Sequence, residues 1–508
     1  MLIRKFAQLH APSWLQVLTL CSALACSSKN DSDSGSGGAS SGGNANGGSA
    51  SESGGSSPAN GGSGNAGGGS GNANGGSAAA NGGAAGNATG GVAGSAGNAG
   101  SNFGGSAAPG PCVLPTAVVP AGSDPIQPAA AAVPSTPTRP QLEQALADER
   151  YTIAKFLEAG GTVAATYTSS GTTNTTPAAS IVDNWDPVTN GIGDPASFTP
   201  MFTVAKDGSG THTTVLAALA AATNVSGCAR VYILVKPDTY RENMTLTKNA
   251  PPVTLYSTEA DASKTVIVFN NAAGTMLTGA TGTLGTSGSA TFTNNAAGLQ
   301  LKNLTIANDF VEGTFNGTSE QAVAFLSQGD KLQCENVRFL GNQDTLYLKS
   351  VNAGTIARSY LRDCYIEGDT DFIFGRGTAV FDHCEVKTVG TVKTSGTCAA
   401  APSTEVTNPY GFLFISSQFT ADANVTSAFF ARQWFEGTRE SAVGKMIVRN
   451  STIGAHINPT TPWKAWSSRS SPKTPTASST LILYTSDDYY AADGPTPPEP
   501  YIAEYGNQ

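Results

Sequence analysis

The fold class that this sequence predicts is all-β, a parallel β-helix solenoid with short helical caps, and three observations carry that expectation. Short branched or aromatic runs, VYILV at 231–235, VTLYS at 253–257, TVIVF at 265–269 and LKNLTI at 301–306, recur with little helical periodicity, which is the mark of strands. A weak repeat aligns LKNLTIAN, CENVRFLG, DCYIEG, HCEVKT, SSQFTA and RNSTIGA on Ile306, Phe339, Ile366, Val386, Phe419 and Ile453, at steps of 33, 27, 20, 33 and 34 residues. A core of about 20 residues with insertions of varied length is the pattern of a β-helix, whose loops bulge from each turn. A β-sandwich is the alternative, but Asn-Gly hairpin signals are scarce over 300–455.

In chain order, residues 1–25 carry Arg4 and Lys5 and then the apolar run WLQVLTLCSALA, suited to an export signal and short for a membrane span. The stretch ALACSSKN sets Cys26 after small residues and before polar ones, resembling a bacterial lipoprotein processing site. Lipidation at Cys26 is therefore expected, with simple signal cleavage after Ala25 as the other reading. The expected location is outside the cytoplasm, as an outer-membrane or cell-surface lipoprotein or else secreted. Residues 26–111 are almost only Gly, Ala, Asn and Ser and read as a flexible linker with an r.m.s. span on the order of 50 Å. Residues 112–200 read as an N-terminal extension packing on the solenoid, and 201–508 as the β-helix domain. The helix candidates are RPQLEQALADERYTIAKFLEAG at 139–160 and TTVLAALAAATN at 213–224, either of which could cap a sheet.

The chain of 508 residues has a net charge of −9. Residues 1–111 contribute Arg4, Lys5 and Lys29 against Asp31, Asp33 and Glu52, so the whole imbalance belongs to the folded part and argues against a nucleic-acid partner. Beyond Cys21 and Cys26, six cysteines remain: Cys112, Cys228, Cys334, Cys364, Cys384 and Cys398. An exported chain permits disulfides among them, though Cys334, Cys364 and Cys384 fit a buried ladder as well. Zinc is a poor alternative without paired Cys-x-x-Cys or a His array.

The chemistry is concentrated in GNQDTLYLK at 341–349 and GDTDFIFGR at 368–376. Asp344 follows Phe339 by five residues, and Asp371 follows Ile366 by five. Both therefore occupy the same position on adjacent turns, with their carboxylates on the order of 5 Å apart. Like charges that close raise one pKa, which separates an acid from a nucleophile or base. Asp369 reads as a turn residue. Nearby candidates are Gln321 and Gln343, whose amides could donate to an oxyanion, Arg432, which could hold a carboxylate ionised, and Trp434, whose face could stack on a sugar.

These residues are where a family resemblance enters. FTVAKDGSGTHTTVLAAL (202–219), KPDTYREN (236–243), QAVAF (321–325), GNQDTLYLK, YLRDCYIEGDTDFIFGRG (360–377), ARQW (431–434) and GAHI (454–457) stand in the order of the pectinesterases, or pectin methylesterases. The chain resembles that family over about 260 residues, and the lipoprotein-like start is most similar to its outer-membrane lipoprotein subgroup. The resemblance implies a right-handed, single-stranded, pectin-lyase-like solenoid. It implies Asp371 as nucleophile, Asp344 as general acid and then base, Gln343 and Gln321 as oxyanion donors, and Arg432 as the partner of Asp371. Trp434, with Phe372 and Tyr347, would line the sugar site.

The implied substrate is methyl-esterified homogalacturonan, cleaved at its C6 methyl esters by a monomer that needs no metal or cofactor. Gln433 and Ala431 replace the Pro and Gly usual in the family, and the loss of proline is expected to loosen the backbone that aims Arg432 and Trp434. The histidines at 212, 383 and 456 show no catalytic partner in sequence, which disfavours a Ser-His-Asp site. The competing readings are a retaining glycosidase on the same carboxylates, an acyl-thioester hydrolase on the same fold, and a non-catalytic glycan-binding β-helix.

Overall fold

Branched and aromatic residues lay down strand after strand from residue 202 onward, and all but Thr355–Ile356, which pairs antiparallel with Gly161–Thr162, pair in parallel with strands one turn away. The computed structural model describes residues 133–158, 160–162, 183, 185–438, 441–465 and 501–508. The expected signal, Cys26, the linker and Cys112 lie outside them. One parallel sheet runs through eight strands in the order Met244–Leu246, Phe292–Asn294, Phe325–Ser327, Leu346–Leu348, Ile373–Gly375, Ser395–Pro402, Ser427–Arg432 and Trp463–Lys464. A second, branched parallel sheet runs from Phe202–Val204 through Gln300–Asn308 and Leu332–Leu340 to Ile502–Tyr505. Together they form the parallel β-helix, right-handed in the sense that strand twist imposes on parallel crossovers.

The repeat read from sequence is the actual register. Phe339 pairs with Ile306 on one side and Ile366 on the other, Ile366 with Val386, Val386 with Phe419, and Phe419 with Ile453. Three residues before each of these lies a corner in the left-handed region, at Asn303, Asn336, Asp363, His383, Ser416 and Asn450, with φ between 50° and 57°. Asn and Asp tolerate that conformation best, and Asn336 Nδ2 also donates to Asn303 Oδ1 at 2.8 Å. The same corner on every turn keeps the aligned residues stacked: Ile306, Phe339, Ile366, Val386 and Phe419 are buried in one core, and Ile453, partly buried, packs against it.

Both helical expectations are refined. The second is Val215–Thr223, capped by the Thr214 hydroxyl accepting from the Ala217 N–H, as N-cap threonines do. It buries Val215, Ala218, Leu219 and Ala222 against the first strands and closes that end of the core. The first candidate splits into Gln144–Arg150 and Ile153–Glu158. At the break Arg449 donates to the carbonyls of Ala147 and Tyr151, at 2.8 Å each, while the Ala147 carbonyl also accepts the Tyr151 N–H that closes the first helix. These helices cap no end; they lie on the outer face of the second sheet against Tyr360, Val380, Leu413 and Ile447. Buried Arg358 fastens them, donating to the Leu157 carbonyl and to Asp183, each at 2.8 Å.

Cys334, Cys364, Cys384 and Cys398 are free and buried, while Cys228 is disulfide-bonded. The cysteine ladder is thus a packing feature, and burial pushes the thiols of Cys334 and Cys384 well above their ordinary range.

Candidate active site

Two left-handed corners on the eight-stranded sheet build the site. Asp344 stands just before Leu346–Leu348 with φ 68°, and Asp371 just before Ile373–Gly375 with φ 49°. Leu346 pairs with Ile373 in the ladder, so the two aspartates are one rung apart, or about 4.8 Å along the solenoid. The backbone fixes this: Asp344 N–H donates to the Thr370 carbonyl at 3.0 Å, and Asp371 N–H to the Cys398 carbonyl at 2.8 Å. A non-glycine residue at positive φ carries conformational strain, and here it turns both carboxyl groups out of the strand row at matching places.

Arg432 ends the strand Ser427–Arg432, two turns beyond Ile373–Gly375. Its Nε lies 2.9 and 3.0 Å from Asp371 Oδ1 and Oδ2, and its Nη2 also donates to Oδ2. Burial alone would lower the pKa of Arg432, but Asp371 foremost, with Cys398 and Asp344, raises it above the ordinary arginine value. Cys398 is buried beside the pair, and burial first, then the Asp371 charge, push its thiol up to about 12. It is therefore no thiolate at neutral pH and no rival nucleophile.

Gln343 and Gln321 flank the acidic pair, both half-buried. Gln343 is bridged to Thr370, and its carbonyl accepts the Ala322 N–H at 3.1 Å, so Gln321 lies on the preceding rung. The structure thus brings Asp371, Asp344, Gln343, Gln321 and Arg432 to one patch of the sheet.

The aromatic candidates divide. Trp434 is half-buried, its N–H donating to the Pro402 carbonyl at 2.8 Å. Tyr347 is 3% exposed. It stacks on Phe374 at 4.1 Å and 16°, and both rings meet Trp434, at 6.2 and 5.7 Å. Tyr347 therefore backs Trp434 more than it offers a face of its own. Its hydroxyl donates to Glu436, which is also paired with Arg376. Phe372 does not line the cleft: it is completely buried in the solenoid core. The left-handed turn at Asp371 interrupts strand alternation, so Phe372 and Ile373 both point inward and Phe374 is the first ring to emerge. Phe374, Arg376 and Glu436 were not singled out from sequence, and only the pairing of Phe374 with Tyr347 would have found them.

Gln433 answers for the missing proline. Its buried side chain donates from Nε2 to the Gly444 carbonyl at 3.0 Å, so the backbone between Arg432 and Trp434 is pinned by a side-chain hydrogen bond where a ring would have stiffened it. Of the histidines, His383 does find an acidic partner, Asp382, with Nδ1 2.6 Å from Oδ1. That pair belongs to the other corner row, away from Asp344 and Asp371.

The model of one known family, described as Pectinesterase, matches residues 201–479. A pectinesterase of Ralstonia solanacearum is 41% identical over 356 residues, which cover 66% of this chain and 86% of that protein. One from Sitophilus oryzae is 32% identical over 287 residues, covering 50% of this chain and 74% of that protein. Among solved structures, rice weevil pectin methyl esterase superposes with a TM-score of 0.56 at 26% identity, over 74% of this chain and 98% of that one. Escherichia coli YbhC gives a TM-score of 0.59 at 25% identity, over 76% of this chain and 98% of that one. With the stacked aspartates and their arginine lying inside the matched region, the chain belongs to the pectinesterase family.

Proposed function

We propose that this protein is a carboxylic ester hydrolase that removes the C6 methyl esters of galacturonate units in pectin, with Asp371 as nucleophile and Asp344 as acid and then base. The observation that carries the assignment of roles is the Arg432 guanidinium against both oxygens of Asp371. An arginine so placed neutralises and aims its carboxylate, while Asp344, one rung away, stands where the acid and base must act.

In the first half-reaction, an Asp371 oxygen bonds to the ester carbonyl carbon, and the carbonyl electrons move to oxygen. The side-chain amides of Gln343 and Gln321 stabilise that oxyanion. Its collapse breaks the bond to the methoxy oxygen, which takes the Asp344 proton and leaves as methanol. In the second, ionised Asp344 removes a proton from water, whose oxygen attacks the acyl carbon. The Asp371 bond breaks, the carboxylate returns, and a free galacturonate acid is released. Trp434, braced by Tyr347 and Phe374, supplies the apolar face for a sugar ring.

Export and attachment through a lipid on Cys26 complete the proposal, supported by the order of basic, apolar and small residues before that cysteine. More than one acyl chain would be needed for stable anchoring.

The test is methanol release from highly methylated pectin by the full chain, beside Asp371→Ala. Methanol is expected from the former and none above background from the latter. Thioester cleavage without methanol, or new reducing ends in place of methanol, would overturn the reading.

A further inference from the structure

A second carboxyl pair, unused by the reaction above, lies just before Asp371. Asp369, expected from sequence to be a turn residue, is fully buried, and the Glu312 side chain in the loop 309–320 is only 3% exposed. Among the described residues, none of their four carboxyl oxygens has a hydrogen-bond partner. Lys393 Nζ stands 3.5 Å from Asp369 Oδ1 and 3.7 Å from Glu312 Oε1, and donates to Thr370 Oγ1 at 2.9 Å.

Two buried carboxylates against one lysine would leave an uncompensated charge with no donor to satisfy it, an expensive state. One proton resolves it, because a carboxylic acid donates to its neighbouring carboxylate. Burial first, and Asp369 second, push the Glu312 carboxyl up to about 7; Glu320 adds to this and Lys393 opposes it. Glu320 is itself occupied, accepting the N–H groups of Gly313, Phe315 and Gly317, so it folds the loop without competing for the shared proton.

The position of the pair gives the proton its consequence. Asp369, Thr370 and Asp371 are consecutive, and the Thr370 carbonyl accepts the Asp344 N–H. The tripeptide therefore touches both reacting aspartates. We propose that Glu312 and Asp369 share one proton and so clamp the loop 309–320 onto the turn that sets Asp371 against Asp344, acting as positioning residues whose clamp opens on the alkaline side. The activity readout of this proposal rests on the esterase reading; the proton itself can be read without it.

Glu312→Gln tests the idea, because an amide donates to Asp369 at every pH. The expected result is kcat near the wild-type value at mildly acidic pH, with the alkaline limb of the kcat profile moved up by about one unit or more. Glu312→Ala is expected to lose kcat on the order of tenfold at the same pH, with KM within about twofold, as small misplacements of reacting groups do. A Glu312→Gln profile that superimposes on the wild type overturns the proposal. Infrared difference titration of the full chain gives a second reading: a carboxylic-acid band that disappears near neutral pH and is missing in Glu312→Gln. If the two titrations are the same, no shared proton exists. If no methanol is released at any pH, the esterase reading fails while the infrared result still decides the pair.

Discussion

The guanidinium of Arg432 meets both carboxylate oxygens of Asp371, with Nε at 2.9 and 3.0 Å, although 61 residues separate the two in sequence. Asp371 sits at a strained left-handed corner, and Arg432 reaches it from the end of a strand two turns along the same sheet. One side chain is therefore aimed from two directions, by backbone strain and by a two-pronged ion pair.

Arg432→Lys keeps the charge and loses the planar fork. It is expected to lower kcat on the order of 10²-fold, the scale for a reacting group displaced by about an ångström. Arg432→Ala should lower it further and also reduce Tm, since it leaves the Asp371 carboxylate buried without its partner. Steady-state methanol release and thermal unfolding check both; a lysine variant with wild-type kcat would show that charge suffices.

Gly444 has φ +69°, and a Cβ there would lie 2.5 Å from the Pro402 carbonyl, the same oxygen that accepts the Trp434 N–H. Gly444→Ala must push that oxygen or adopt a strained backbone, at about 1–3 kcal/mol. It also disturbs the Gln433 hydrogen bond to the Gly444 carbonyl. The expected signature is a lower Tm together with a higher KM for pectin, because Trp434 moves with its acceptor.

Phe372 and Trp434 should separate cleanly. Phe372→Ala is expected to cost about 3–5 kcal/mol of stability, as truncation of a buried Phe does, measured by denaturant unfolding, with little change in KM among molecules that remain folded. Trp434→Ala should raise KM for pectin with a smaller loss of stability, since the ring is half-buried. The opposite pattern would return Phe372 to the cleft.

The same two residues mark how far the sequence is readable. The stacking of Asp344 on Asp371 was legible because a β-helix preserves register, so equal spacing from Phe339 and Ile366 means equal position in space. Phe372 was placed in the cleft by the resemblance, but the left-handed corner at Asp371 breaks strand alternation and turns Phe372 and Ile373 both inward, and positive φ at an Asp is not written in residue type. The clamp at Glu312 was hidden for another reason: Glu312 and Asp369 are 57 residues apart and share no motif. Only the folded loop brings two carboxyls together. The break after Arg150 is likewise held by Arg449, about 300 residues on, a contact that local helix propensity cannot see.

The N-terminal helices should detach in acid before the solenoid unfolds. Asp183 links Arg358 and Lys331, each at 2.8 Å, and Arg358 also holds the Leu157 carbonyl at the end of the second helix. Burial would raise the Asp183 pKa, but the hydrogen bonds from Arg358 and Lys331 outweigh it and lower the value from 3.8 to about 2. The folded form therefore binds its proton less readily than the unfolded form. The stabilisation, about 2 kcal/mol from a shift of this size, is present above pH 3.8 and is lost as pH falls through about 2. Asp183→Asn should remove this acid-dependent increment and lower stability at neutral pH, where Arg358 and Lys331 would face a neutral amide. Hydrogen exchange of residues 144–158, compared between wild type and variant at neutral pH, should rise in the variant and leave the strands around Asp371 protected. Equal protection of the helices in both proteins would mean that Asp330 and the apolar contacts to Tyr360 and Leu413 hold the extension without Asp183.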